Sequence, residues 1–126
     1  MKIAIPIFGN RVSPRFEFSP EIWFIEVERG EVLGEERLST TNLNLPQRLE
    51  QITSNGVDKI ICGGIDVFAR NQLASKGIDV IQDVIGEAEV VLELFIRGKL
   101  RSGIFCDRRR SGRFCGWRIR SHGRRS

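Results

Sequence analysis

The segment Val57-Asp58-Lys59-Ile60-Ile61-Cys62-Gly63-Gly64-Ile65-Asp66 runs from an apolar stretch into a thiol, two glycines and an acid. A cysteine is a soft ligand, and glycines where a helix begins let backbone N–H groups and a positive dipole end approach an anion. Such a turn suits an anionic, sulfur-bridged metal cluster. Cys62 would ligate or approach the cluster, while the N–H groups of Gly63, Gly64 and Ile65 donate to its sulfides. The plainer alternative makes Cys62 a small core hydrophobe and the glycines the condition for a tight turn. Asp66 counts against an anion, because its carboxylate competes for the same donors.

Two further sets of residues carry chemistry. In Gly9-Asn10-Arg11-Val12-Ser13-Pro14-Arg15, the guanidinium groups of Arg11 and Arg15 and the hydroxyl of Ser13 suit an anion, although surface arginines beside a proline turn are common. Cys106 and Cys115 lie in an arginine-rich stretch with His122 beyond. Their spacing matches no zinc knuckle and a fourth ligand is missing, so they stand as weaker metal candidates that would close over the first site or hand a cluster on. The surrounding arginines would equally pair with phosphates while Phe114 and Trp117 stack on bases, which makes single-stranded nucleic acid the competing ligand. A disordered, solubilising tail is the third explanation.

Hydrolytic chemistry finds little support. The first strand carries no carboxylate to hold a divalent metal, and Asp66, Asp83 and Glu87 read as caps and helix starts. The only histidine, His122, lies far from any serine or cysteine of the first hundred residues, and no phosphate-loop or dinucleotide fingerprint is present. The chain is not expected to be an enzyme.

The elements that must position these groups follow from periodicity. Ile3, Ile5 and Ile7 alternate along a first strand from about Lys2 to Ile7, with Pro6 expected to end interior pairing. Ile22 to Glu28 and about Val32 to Leu38 form a hairpin across Arg29-Gly30, its second strand at an edge. Asn44 and Pro46 open a helix bearing Leu45, Leu49 and Ile52 and closed by Gly56; Lys59 to Cys62 is a strand; and Asp66 caps a helix from Val67 to about Ser75. Ile78 to Ile81 is the last strand, and Ala88, Val91, Leu92 and Phe95 mark a last helix ended by Gly98. The order β-β-β-α-β-α-β-α predicts an α/β fold, a mixed five-stranded sheet of strand order 3-2-1-4-5. Strands 1, 4 and 5 are parallel and helices cover both faces. The loops at Gly9 to Arg15, Cys62 to Asp66 and Gln82 to Glu87 then open on one edge, the first two flanking a crevice.

Composition bounds the rest. The 126 residues suffice for one compact domain, and three scattered cysteines are too few for a disulfide framework. Neither a leader pattern nor a membrane-spanning apolar run occurs, so a cytoplasmic protein with no membrane attachment is expected. The formal charge of +4 divides unevenly: residues 101–126 hold nine arginines and one acid, leaving −4 on residues 1–100. We therefore expect a domain over 1–100 and a flexible, Arg-rich tail over 101–126.

Met1 to Pro6, Asn10 to Phe16, Gly56 to Ile65 and Gly77 to Ile81, taken in order, resemble the dinitrogenase iron-molybdenum cofactor biosynthesis family, and Ser111 to Ser126 is loosely similar to the Gly- and Arg-rich tails of its members. The resemblance implies a ribonuclease H-like α/β domain without nuclease activity. It also implies non-catalytic binding or carriage of an iron-sulfur, iron-molybdenum or molybdenum-copper cluster or its precursor, as in nitrogenase accessory proteins. Metal-cluster donor or acceptor proteins would be its partners, and the chain a monomer or weak homodimer. Residues 1–100 contain no histidine, a departure from the cofactor-carrying relatives that leaves Cys62 the one thiol of the expected pocket.

Overall fold

A computed structural model describes residues 1–100, 103–109 and 112–117. The elements are β1 (Lys2–Phe8), β2 (Arg11–Val12), a 3-10 turn at Phe16–Phe18, β3 (Glu21–Glu28), β4 (Glu31–Ser39), α1 (Leu45–Ser54) and β5 (Lys59–Ile61). They continue with α2 (Val67–Ser75), β6 (Asp79–Ile81), β7 (Ile85–Gly86), α3 (Ala88–Ile96), β8 (Ile104–Arg109) and β9 (Gly112–Trp117).

Alternating isoleucines make β1 the centre of the main sheet, whose path is β4-β3-β1-β5-β6 with β2 attached to β1. β3 and β4 pair antiparallel across Arg29 and Gly30, both at positive φ (53° and 80°), the two-residue turn that matches strand twist. β1, β5 and β6 are parallel. This mixed α/β sheet follows the expected path but differs in detail. It gains a sixth strand at Arg11–Val12, and a second sheet of order β7-β8-β9 stands beside it.

Both faces of the sheet are covered. Ile3, Ile5 and Ile7 of β1 point into one core with Val90, Val91 and Leu92 of α3. Ala4, Ile22 and Phe24 point into the other with Ile52 of α1 and Ala69 and Leu73 of α2. Each fully buried isoleucine contributes about 1.5–3 kcal/mol relative to exposure.

Two local expectations need correction. Pairing does not end at Pro6, because β1 continues to Phe8, stays in register with β3 through Ile7↔Glu21, and lends the Pro6 carbonyl to the Ser13 N–H at 2.9 Å. Proline lacks a donor but keeps its acceptor, so the segment 11–13 turns back to use it. Regular structure also does not stop near Leu100. Strands β8 and β9 occupy Ile104–Arg109 and Gly112–Trp117, with Gly103 at φ 82° leading in and its N–H on the Gln82 carbonyl at 3.1 Å. Neither Ile104-Phe105-Cys106 nor Phe114-Cys115-Gly116-Trp117 shows a clean period of two, and the arginines around them read as a tail, so the strands were not legible without a partner edge. Positions 101–102, 110–111 and 118–126 of the expected tail lie outside the described residues.

Candidate functional site

The chain leaves β1 toward β3 on one side and meets β5 on the other, so the carboxyl ends of β1 and β5 face a crevice. Three loops close on it. The Cys62–Gly64 segment continues β5 as a seam between them. The Gly64 N–H donates to the Pro14 carbonyl at 2.7 Å, the Phe16 N–H to the Gly64 carbonyl at 2.8 Å, and the Asp83 N–H to the Gly63 carbonyl at 2.9 Å.

The glycine pair is explained by this seam. A Cβ on Gly63 would stand 2.5 Å from the Ser13 carbonyl oxygen and 2.9 Å from that of Pro14, closer than any side chain is tolerated. At Gly64 the missing side chain makes room for Arg15, whose Nη1 would lie 3.1 Å from a Cβ there. The Gly64 N–H is committed to Pro14, so the expected row of three donors aimed at an anion is not present as a set. Nor does the helix start supply one: Asp66 caps α2, its carboxylate accepting the Phe68 N–H at 2.9 Å.

Between the loops lies a cleft of about 430 Å³, lined by Arg11, Val12, Pro14, Arg15, Gly63, Gly64, Asp83, Val84 and Ile85. Four of the seven expected pocket residues, Arg11, Arg15, Gly63 and Gly64, are thus brought together. The Arg15 guanidinium is half exposed and held by Glu17 at 2.9 Å, and Arg11 sits where the chain bridges to Glu87. The lining thus combines apolar and glycine residues with two arginines and one aspartate.

The other three do not reach it. Ser13 is buried, and its hydroxyl donates to the Arg15 carbonyl at 3.0 Å, fixing the loop instead of facing the cleft. Ile65 packs against the core formed with α1 and α2. Cys62 is fully buried in that same core among Ala4, Phe16 and Ile60, and does not line the cleft. Burial, reinforced by the carboxylates of Asp83 and Glu17, pushes its thiol up to about 12. Fully buried and absent from the cleft lining, Cys62 is placed as the core-hydrophobe alternative describes. Alternation along β5 explains the outcome: Ile60 and Cys62 share the face turned to α1 and α2.

Two acids were missed. Asp83 lines the cleft at positive φ (61°), and Glu17 steadies Arg15 while its Oε1 is buried without a partner. Asp83 read as a helix start; its place in the third loop, with aspartate's tolerance of left-handed backbone, was the available signal. Among the described residues no group of three or more histidine, cysteine or acidic side chains is placed to hold a metal ion. Cys106 and Cys115 sit directly opposite one another in β8 and β9, and Cys106 opposite Gly86 of β7. His122 lies outside the described residues.

Comparison with known proteins adds a family. The family described as "Dinitrogenase iron-molybdenum cofactor" matches residues 1–98. An uncharacterized protein of Methanocaldococcus jannaschii is 32% identical over 105 residues, covering 79% of this chain and 89% of that one. The crystal structure of PH0822 superposes with a TM-score of 0.76 at 28% identity, covering 81% of this chain and 94% of that chain. The apo form of the orange protein from Desulfovibrio gigas shares the fold, with a TM-score of 0.67 at 19% identity and coverage of 80% and 91%.

Proposed function

The chain belongs to the dinitrogenase iron-molybdenum cofactor family, and we propose that it binds or carries an anionic metal-sulfur cluster, or a precursor of one, in the cleft between β1 and β5. The cluster is cargo, and the role is non-catalytic. The observation that carries this reading is the pair of arginines, Arg11 and Arg15, on the walls of a cleft of about 430 Å³ at the carboxyl ends of parallel strands. Guanidinium groups supply charge-assisted hydrogen bonds to sulfide or oxide ligands, and the backbone at Gly63 and Gly64 permits close approach. Cys62 takes no part in this scheme. Retention would rest on charge and shape, with Asp83 limiting how much negative charge the cleft accepts.

Cluster donor or acceptor proteins would be the partners, and a ribonuclease H-like domain of this chain the scaffold of the cleft. Action in the cytoplasm is part of this proposal; no helix of the described residues is long and apolar enough to cross a membrane. The nucleic-acid alternative draws on Phe114, Trp117 and arginines whose side chains lie outside the described residues, and it is not carried forward.

The test is anaerobic loading. Reduced full-length protein is offered iron, sulfide and tetrathiomolybdate, with and without copper, then gel-filtered in high salt to remove ions adsorbed to surface arginines. Stoichiometric metal with a charge-transfer spectrum is expected, and the double variant Arg11→Ala/Arg15→Ala loses at least tenfold in affinity. Cys62→Ala loads as wild type. No retained metal, or retention indifferent to the arginines, overturns the reading.

A further inference from the structure

Arg15 is pinned to the cleft wall at two places. Its Nη2 donates to Glu17 Oε2 at 2.9 Å, and its Cδ and Nη1 lie over Gly64, where an added Cβ would stand 3.2 and 3.1 Å from them. The backbone beneath is fixed as well: the Ser13 hydroxyl donates to the Arg15 carbonyl at 3.0 Å, and Arg15 and Gly64 form a parallel bridge. A loose arginine samples many rotamers, and ordering it when a ligand arrives costs affinity. Here the ordering is done in advance.

The acid that does it stands behind the arginine. Arg15 is half exposed and lines the cleft, whereas Glu17 is 15% exposed and is absent from the lining. Its other oxygen, Oε1, is buried with no hydrogen-bond partner among the described residues. A buried carboxylate oxygen without a donor costs free energy, and a half-exposed ion pair returns little of it, so stability is a poor reason for an acid here. Glu17 also acts on a second arginine: burial lowers the pKa of Arg48, and the Glu17 charge opposes that shift. Compensating Arg48 is therefore the competing role for this side chain.

We propose that Glu17 is a positioning residue of the cleft, holding the Arg15 guanidinium by Nη2 so that Nη1 stands over Gly64 in the pose that meets an anion. The inference rests on the cluster reading and adds to it a residue outside the lining that sets affinity through Arg15. The charge of Glu17 works against an anion while its hydrogen bond works for one. Glutamine parts the two effects, because its amide oxygen still accepts from Nη2 without the charge.

The probe is tetrathiomolybdate, in anaerobic equilibrium dialysis against reduced full-length protein. Glu17→Gln is expected to bind at least as tightly as the unmutated chain, and Glu17→Ala roughly three- to tenfold more weakly than Glu17→Gln. In an Arg15→Ala background the two variants bind alike, which compensation of Arg48 would not produce. As a reading that needs no ligand, NMR of the arginine side chains follows rotation of the Arg15 guanidinium about its Nε–Cζ bond: slow in the unmutated chain and in Glu17→Gln, fast in Glu17→Ala. Equal affinity of the two Glu17 variants, a difference that persists without Arg15, or rotation already fast in the unmutated chain overturns the proposal. Rotation that responds to Glu17 while tetrathiomolybdate fails to bind supports the positioning of Arg15 and overturns the cluster reading alone.

Discussion

At the scale of single residues, the central turn does structural work that looks like ligand chemistry in the sequence. Gly63 exists because the backbone of Ser13 and Pro14 crosses it. Gly63→Ala is therefore expected to cost about 1–3 kcal/mol, read from the urea midpoint, since backbone and not a flexible side chain must move. Gly34→Ala in the edge strand, where a Cβ meets nothing within 4 Å, should be neutral within about 0.5 kcal/mol. Equal effects would show that the close approach is not what requires glycine. Cys62 gives a pH signature. Its folded value, pushed to about 12 from an ordinary 9.0, means the folded state holds the proton that the unfolded state releases. Its contribution to stability is complete below about pH 9 and declines as pH rises toward 12. In a Cys106→Ser/Cys115→Ser background, replacing Cys62 with alanine should flatten the fall in stability between pH 9 and 11, measured by urea unfolding. An unchanged slope would mean that the thiol is not held protonated.

At the scale of elements, α1 and α2 are started by the polar side chains of Asn44 and Asp66 as the sequence indicates, but α1 has a duty the sequence concealed. Asn44 and Gln47 form a reciprocal capping box, each side chain on the other's backbone N–H at 2.9 Å. Asn44→Ala should cost about 1 kcal/mol in thermal or urea unfolding with no change in cleft loading. A loss below about 0.3 kcal/mol would leave Pro46 as the dominant start signal. Arg48, one turn on, is buried and donates to the Ser19 carbonyl and hydroxyl, the Thr40 hydroxyl and the Leu43 carbonyl. It ties α1 to the ends of β3 and β4. Amphipathic spacing marks Leu45, Leu49 and Ile52 but says nothing of an arginine whose charge is met by carbonyls from distant segments.

At the scale of the whole molecule, the two core clusters of the described side chains join residues from Ile3 to Leu100 across both faces of the sheet. A chain ending at Leu100 is expected to unfold in one cooperative urea transition and to keep the arginine cleft. A broad or absent transition would make the β7-β8-β9 sheet part of the folding unit. The sheet path, the hairpin, the three helices and the edge at which the loops gather were legible in the sequence, because period-2 and period-3.6 patterns, caps and crossover handedness are local or nearly local constraints. Arg11, Arg15, Gly63 and Gly64 were legible as neighbours for the same reason, since parallel strands bring their carboxyl ends to one side. Only the tertiary structure decided that Cys62 turns into the core, that Ser13 bonds its own loop, that Asp83 enters the site while Glu17 holds Arg15, and that Cys106 and Cys115 stand opposite in strand register. Each depends on which backbone crosses which at a distance of one bond length or one strand register, and composition and spacing carry no information on that scale.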